Sequence, residues 1–185
     1  MLIDCHNHIG TDLLFYLHGD FPYAQQLVQM QQESRPLGVT HWIVFPFVSY
    51  AAMDHSCRYD KACLDRVKEL PNAWFDCSAH CIHCNCAVDD LPNIAPRSIR
   101  FDTDYSNPGR VIADLAAAYP KKFLWGSDSP FYSYAAKIDG EIVRLISTYQ
   151  REVEALKQSP PKVVNQIANV NTRDFLKLPD ENILA

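Results

Sequence analysis

Two histidines separated by one residue, His6 and His8, lie near the start of the chain. Side chains alternate across a β-strand, so a strand over residues 2–9 would present both imidazoles on one face. Neutral imidazole is a common ligand of divalent metal ions. The pair therefore predicts part of a metal site, although two ordinary polar residues entering a loop would give the same pattern.

A carboxylate follows a second short apolar stretch. Residues 123–125 read as a strand that runs into a turn at Gly126 and presents Asp128. A carboxylate at a strand end can bind a metal ion or accept a proton in catalysis. Asp128 is therefore the candidate catalytic base and the third metal ligand beside His6 and His8. Capping of the turn is the alternative role for such an Asp.

Imidazole and thiol side chains also cluster after a predicted strand at residues 73–77. Pro, Asn and adjacent Asp residues interrupt any sustained period over residues 80–99, so we expect a long loop, often a functional feature in a compact domain. His80 is the candidate replacement metal ligand in this loop, because it lies nearest to the strand end. The alternative is a surface loop with a few buried thiols. The group comprises His80, Cys81, His83, Cys84 and Cys86.

Two arginines precede the helix that Pro108 is expected to open. Arg97 and Arg100 are candidate substrate-binding residues, because a guanidinium group can hold a substrate carboxylate through two hydrogen bonds. A solvated cluster of salt bridges is the alternative interpretation.

Strands and helices are expected to alternate along the chain, which predicts an α/β fold with a parallel sheet. Ligands of such sheets gather at the carboxyl ends of the strands, where His6, His8 and Asp128 are expected. The predicted strands cover residues 2–9, 41–48, 73–77 and 123–125. The predicted helices cover residues 23–33, 58–70, 108–118, 141–156 and 162–176.

The composition restricts the class of protein. A chain of 185 residues with 48% hydrophobic residues fits one domain, residues 1–185. The net charge of −5 and the lack of a basic run argue against nucleic-acid and anionic membrane partners. No stretch has the length of a membrane span and the first residues do not resemble a secretion signal, so we expect a cytoplasmic protein. Seven cysteines, an odd number, favour reduced or metal-bound thiols over a disulfide framework.

Several segments together resemble the amidohydrolase superfamily, in particular the amidohydrolase-related group that includes decarboxylases. Residues 3–8 resemble the opening strand of that family, with its metal-binding His-x-His, and residues 124–130 resemble its last strand with the Asp near the metal. Residues 71–79 are similar to the preceding strand, residues 44–46 to the second strand and residues 167–176 to the terminal helix. The resemblance implies a TIM-barrel scaffold and a divalent metal ion, with zinc as the expected one, held by His6, His8 and Asp128.

The chain is shorter than the roughly 250 residues of a complete (β/α)₈ barrel. We therefore expect a shortened TIM-barrel-like (β/α) scaffold that lacks several middle βα units and their metal ligands. Such a scaffold would expose an edge strand, which predicts a homo-oligomer. Three explanations of the missing ligands stay open. The chain is a shortened paralogue or the product of a deleted gene, or its 80–99 loop supplies replacement ligands, or two chains complete one site together.

The leading hypothesis for function is hydrolysis of a small-molecule amide, ester or lactone through a metal-activated water. Two alternatives stay open at this point. One is a metal-dependent decarboxylase of the same family, and the other is a non-catalytic barrel fragment that binds a partner.

Overall fold

The computed structural model describes residues 1–12, 23–25, 27–46, 59–71, 73–91, 94–129, 133–138 and 141–178. Within these ranges it describes side chains except those of residues 8–12, 23–25, 27, 44–46, 133–138 and 141–145. The strands are β1 (Ile3–Asp12), β2 (Tyr23–Gln25), β3 (His41–Pro46), β4 (Phe75–Asp76), β5 (Phe123–Leu124), β6 (Ser133–Ile138) and β7 (Glu141–Ile146). The helices are α1 (Leu27–Ser34), α2 (Lys61–Glu69), α3 (His80–Val88), α4 (Pro108–Ala118), α5 (Tyr149–Lys157), α6 (Pro161–Asn165) and α7 (Asn171–Leu176). A 3₁₀ turn (Arg35–Leu37) follows α1, and a π-helix (Gln166–Val170) joins α6 to α7.

Two parallel pairs of strands form the centre of the fold. β1 runs parallel to β3, with Ile3 opposite His41. β4 runs parallel to β5, with Phe75 opposite Phe123. β2 pairs antiparallel with the end of β1, and β6 and β7 form a separate antiparallel hairpin. The architecture is thus mixed α/β with small parallel sheets, as the sequence predicts.

Hydrogen bonds between β1 and the chain just after β5 join the two parallel pairs. The Cys5 amide donates to the Trp125 carbonyl over 3.2 Å, and Asn7 lies opposite Ser129 in a parallel bridge. The Asn7–Ser129 bridge therefore places the two sheets side by side, and their four parallel strands follow one another in the order β4-β5-β1-β3 across the described parts of the chain. The carboxyl ends of the four strands point the same way.

Helices α4 and α5 pack together and contribute much of the hydrophobic core. α4 approaches α5 closely at Gly109, where a Cβ atom would lie only 2.5 Å from the Cβ of Gln158. Only glycine allows this separation. The two helices share one cluster with Phe123 of β5 and Trp125 just after it. Their fully buried apolar side chains include Val111, Ile112, Leu115, Val153 and Leu156.

The helical segment at the carboxyl end of the described chain fixes the position of β5. The Asn171 side-chain amide donates to the Phe123 carbonyl over 2.7 Å and to the Pro120 carbonyl over 2.8 Å. The Trp125 amide donates to the Ile167 carbonyl of the π-helix over 3.2 Å. β5 is consequently held on one side by β4 and on the other by α7 and the π-helix, with β1 joining the chain at the Trp125 carbonyl.

Most of the predicted elements are present. The first strand is β1, and the helix predicted at residues 108–118 is α4 with the same boundaries. The predictions at 58–70 and 162–176 are helical as α2 and as the α6, π-helix and α7 series. The prediction of a helix at 23–33 is wrong at residues 23–25, which form β2. Residues 47–48 of the second predicted strand lie outside the described residues.

The predicted helix over residues 141–156 is wrong in its first part. Residues 141–146 form β7, which pairs with β6 so that Ile146 lies opposite Ser133, and α5 begins only at Tyr149. Thr148 starts this helix, because its hydroxyl accepts a hydrogen bond of 3.1 Å from the Arg151 amide. Apolar residues spaced three and four apart in so short a run fit a helix and a hairpin strand equally well.

The predicted loop over residues 80–99 is also wrong at its start, because residues 80–88 form α3. This helix is buried on nearly all sides and therefore has no alternation of apolar and polar faces. The buried carboxylate of Glu152 on α5 accepts hydrogen bonds from the Cys81 amide, the shorter one 3.2 Å long, and one of 2.7 Å from the Ser147 hydroxyl. Burial raises the pKa of Glu152 to about 7, although these hydrogen bonds lower it.

No helix in the described ranges is long and apolar enough to cross a lipid bilayer.

Candidate functional site

The parallel strands bring three titratable side chains together where the carboxyl ends of β4 and β5 lie beside β1. His6 on β1 lies between Asp76, the last residue of β4, and Asp128, in the turn after β5. The His6 Nδ1 atom is 3.2 Å from Asp76 Oδ2, and the His6 Nε2 atom is 3.5 Å from Asp128 Oδ1. All three side chains keep partial access to solvent, with exposed fractions of 29%, 30% and 18%. We call these residues the His6 cluster.

The two acidic neighbours determine the charge of His6. Burial of the imidazole opposes the charged form, but the hydrogen bond and charge of Asp76, with the charges of Asp128 and Asp4, raise the pKa of His6 to about 9. Burial acts the other way on Asp76, yet the hydrogen bond and charge of His6 hold the pKa of Asp76 well below its ordinary value. In the absence of a metal ion, His6 is therefore an imidazolium at neutral pH.

The turn that carries Asp128 depends on two unusual backbone positions. A Cβ atom at Gly126 would lie 2.5 Å from the His6 Cβ and 2.9 Å from the His6 amide nitrogen, so only glycine allows the turn to pass this close to β1. Asp128 has a φ of 62°, in the left-handed region that few residues other than Gly, Asn and Asp adopt. Its amide donates to the His6 carbonyl over 2.8 Å, which fixes the turn against the strand.

Two buried serines on either side of Asp128 connect the turn to β1. The Ser127 amide donates to Asp4 Oδ1 over 2.8 Å, and the Ser127 hydroxyl donates to Asn7 Oδ1 over 3.0 Å. The Ser129 amide in turn donates to the Ser127 hydroxyl oxygen over 3.1 Å. The turn is therefore hydrogen-bonded to β1 before, at and after Asp128.

Asp4 is a fully buried carboxyl group beneath the His6 cluster. It accepts hydrogen bonds from the amides of His6 and Ser127 and from the hydroxyl of Tyr149 on α5. Burial raises the pKa of Asp4 to about 6, and these hydrogen bonds moderate the rise. Asp4 thus links the first strand, the Asp128 turn and α5 at one point.

The donor atoms of the His6 cluster fit part of a tetrahedral metal site. Two ligand atoms each 2.0–2.2 Å from a tetrahedral ion are about 3.3–3.6 Å apart, and His6 Nε2 and Asp128 Oδ1 are 3.5 Å apart. Asp76 holds the other ring nitrogen, as carboxylates commonly do behind metal-bound histidines. His8 follows on β1, opposite Phe45, but its side chain lies outside the described residues. The described residues alone contain no group of three metal-ligating side chains.

His80 occupies a different environment, buried in the first turn of α3. Its Nε2 atom donates to the Pro108 carbonyl over 2.9 Å, and its Nδ1 atom is hydrogen-bonded to the Tyr59 hydroxyl, also over 2.9 Å. The Cys84 sulfur lies 3.4 Å from Nε2. Metal binding by either ring nitrogen would break a buried hydrogen bond, and we therefore leave His80 out of the ligand set.

The two candidate substrate-binding arginines contact the protein itself. Arg100 is buried and donates to the carbonyls of Ala95 and Ala87, each over 2.7 Å, and to Asp90 over 2.8 Å. Arg97 is exposed and lies 3.4 Å from the same carboxylate. Asp90 thus forms salt bridges with both guanidinium groups, which matches the alternative of a salt-bridge cluster. The cluster differs from that alternative in one respect, because Arg100 is buried and not solvated.

Asp76 and Asp4 are the site residues that the sequence analysis misses. Asp76 ends an apolar strand, as Asp128 follows one, and this shared position is the signal that could identify it. Asp4 resembles an ordinary polar residue of the first strand, and its role depends on Ser127 and Tyr149, which are distant in sequence.

No protein-family model, no curated protein and no solved structure matches this chain. The resemblance to amidohydrolases therefore depends on its short motifs and stays a prediction.

Proposed function

We propose that this chain is a metal-dependent hydrolase of a small-molecule amide, ester or lactone. The observation that carries the proposal is the His6 cluster, in which Nε2 of His6 and Oδ1 of Asp128 converge at 3.5 Å while Asp76 orients the imidazole from behind. The proposed ligands are His6, His8 and Asp128, and the proposed ion is zinc. When bound, such an ion would polarise the carbonyl group and make water a better nucleophile.

The order of the strands supports a shortened TIM-barrel scaffold as part of this proposal. β1 and β3 come from segments that resemble the first two strands of the family, and β4 and β5 from segments that resemble its last two. In a closed eight-stranded barrel the first and last strands are neighbours. The order β4-β5-β1-β3 is the one that these four strands would have in such a barrel.

The residues of the chain divide the proton chemistry between them. Asp76 keeps a proton on Nδ1 of His6, so that Nε2 faces Asp128 and is the nitrogen available to a metal ion. Asp128 accepts a proton from the attacking water and delivers it to the leaving group. Ser127 and Asp4 hold the turn in place, so that the Asp128 carboxylate needs little reorganisation during the reaction.

Metal analysis tests the ligand assignment. We expect purified protein to hold close to one divalent ion per chain and the His6→Ala, His8→Ala double variant to lose it. His41→Ala is the matched control, because His41 is an exposed histidine and lies outside the His6 cluster. Equal metal content in the wild type and the double variant would contradict the assignment.

A substrate screen over amides, esters and lactones tests the reaction. Asn tolerates the left-handed backbone at position 128, so Asp128→Asn should keep the turn and much of the metal while activity falls by about 10² to 10⁴. Undiminished turnover in this variant would remove Asp128 from the mechanism. Release of carbon dioxide without hydrolysis would favour the decarboxylase, and a wild type inactive on the whole screen would favour the non-catalytic alternative.

A further inference from the structure

The row of four parallel strands has two outer edges that carry no strand in the part of the chain that the structure describes. β3 pairs with β1 on one side, β4 pairs with β5 on one side, and no described strand lies beyond either. Edge strands offer backbone N–H and C=O groups that pair readily with another chain.

The direction and number of the strands indicate which partner fits both edges at once. All four strands run the same way, so a two-fold axis along the strands brings β3 of each copy beside β4 of the other. Both joints are then parallel, and the strands total eight, the number at which side chains fill the interior of a parallel barrel. Two-fold dimers are also the commonest soluble oligomers. We propose that two copies of this chain pair β3 with β4 at both joints and close an eight-stranded barrel.

This arrangement makes the second copy part of the site. A two-fold axis along the strands places the carboxyl ends of all eight strands at one mouth of the barrel. The two His6 clusters then open on that mouth from opposite sides, and each copy forms the wall that faces the other copy's cluster. The proposal depends on strand order and direction and needs no metal ion, so it stands or falls separately from the hydrolase assignment.

Light scattering and amide hydrogen exchange test the proposal on the full chain after treatment with a chelator. We expect a particle of about 42 kDa, twice the 21.1 kDa of one chain, that dissociates on dilution. Exchange of those amides of residues 41–45 and 73–77 that point away from β1 and β5 should slow by about tenfold when the total concentration is raised to about fifty times the dissociation constant. Amides of residues 3–7 and 123–125 are the internal control, because these strands have neighbours on both sides in the monomer as well.

Two results would overturn the proposal. One is a particle of 21.1 kDa at every concentration up to the millimolar range. The other is a dimer in which the amides of β3 and β4 exchange as fast as in the dilute protein, since that dimer would associate through another surface. Neither result depends on metal content or activity, so the hydrolase proposal would be unaffected by either.

Discussion

Replacement of Asp76 with Asn should remove most of the interaction that keeps His6 protonated. Asp76 accepts the hydrogen bond from the imidazole and is the largest of the contributions that raise the pKa of His6 from 6.5 to about 9. At about 1.36 kcal/mol per pH unit, this rise corresponds to about 3 kcal/mol. In the Asp76→Asn variant, burial opposes the charge and only Asp128 and Asp4 still favour it, so we expect the pKa of His6 to fall from about 9 towards its ordinary value.

The stability of the metal-free protein should change with pH accordingly. The folded state binds the His6 proton more tightly than the unfolded state, so this contribution is fully present below pH 6.5 and is lost as the pH rises through 9. Between pH 6 and 9.5, the wild type should therefore lose up to about 3 kcal/mol more of its free energy of unfolding than Asp76→Asn does. Ionisation of cysteines on unfolding affects both proteins and cancels in the comparison.

Two measurements on chelator-treated protein check this prediction. An NMR titration gives the pKa of His6, whose signal is assigned by its absence from a His6→Gln variant, and urea unfolding at the two pH values gives the stabilities. Asp102→Asn, at an exposed aspartate outside the His6 cluster, is the control and should leave the titration unchanged. A His6 pKa that stays near 9 in Asp76→Asn would refute the reasoning.

Three further predictions concern stability. Arg100→Ala should lower the free energy of unfolding by about 3 kcal/mol, because buried acceptors lose their donor, whereas exposed Arg97→Ala should change it by less than about 0.5 kcal/mol; urea unfolding checks both. The folded state favours protonated Glu152, so wild-type stability should fall as the pH rises from 4.5 to 7. Glu152→Gln should reduce that fall by up to about 3 kcal/mol in urea unfolding at the two pH values. Gly109→Ala should cost about 1–3 kcal/mol by thermal unfolding, since the new Cβ would clash with Gln158; unchanged stability would contradict this.

The sequence predicts those elements of the fold whose signals are local. Pro108 at the first turn and Pro120 just beyond the end mark α4, and the structure begins and ends that helix as predicted. α3 gives no such signal, because it is buried nearly all round and begins after Ala79, whose methyl side chain cannot cap the helix. The Glu152 carboxylate, which accepts a hydrogen bond from the Cys81 amide in the first turn of α3, lies 71 residues further along the chain.

The same distinction applies to the candidate site. His6 and Asp128 can be chosen from the sequence, since each occurs near the end of an apolar strand, and the structure brings them within 3.5 Å. Asp76 becomes important only through its position beside His6, which depends on the strand order β4-β5-β1. A single sequence does not specify which strands are neighbours, so the carboxylate that fixes the charge of His6 could not be predicted.

The central place of β1 has a consequence for how the chain folds as it is made. β1 leaves the ribosome well before two of its partners, because Ser127, which bonds to Asp4, is 123 residues later and Tyr149 is 145 residues later. At about 5–20 residues per second, roughly 6–25 s pass between the synthesis of β1 and that of the Ser127 turn that bonds to it. Contacts this distant in sequence also slow folding. During synthesis, a nascent chain of this protein therefore presents an unpaired strand edge to chaperones and to other nascent chains.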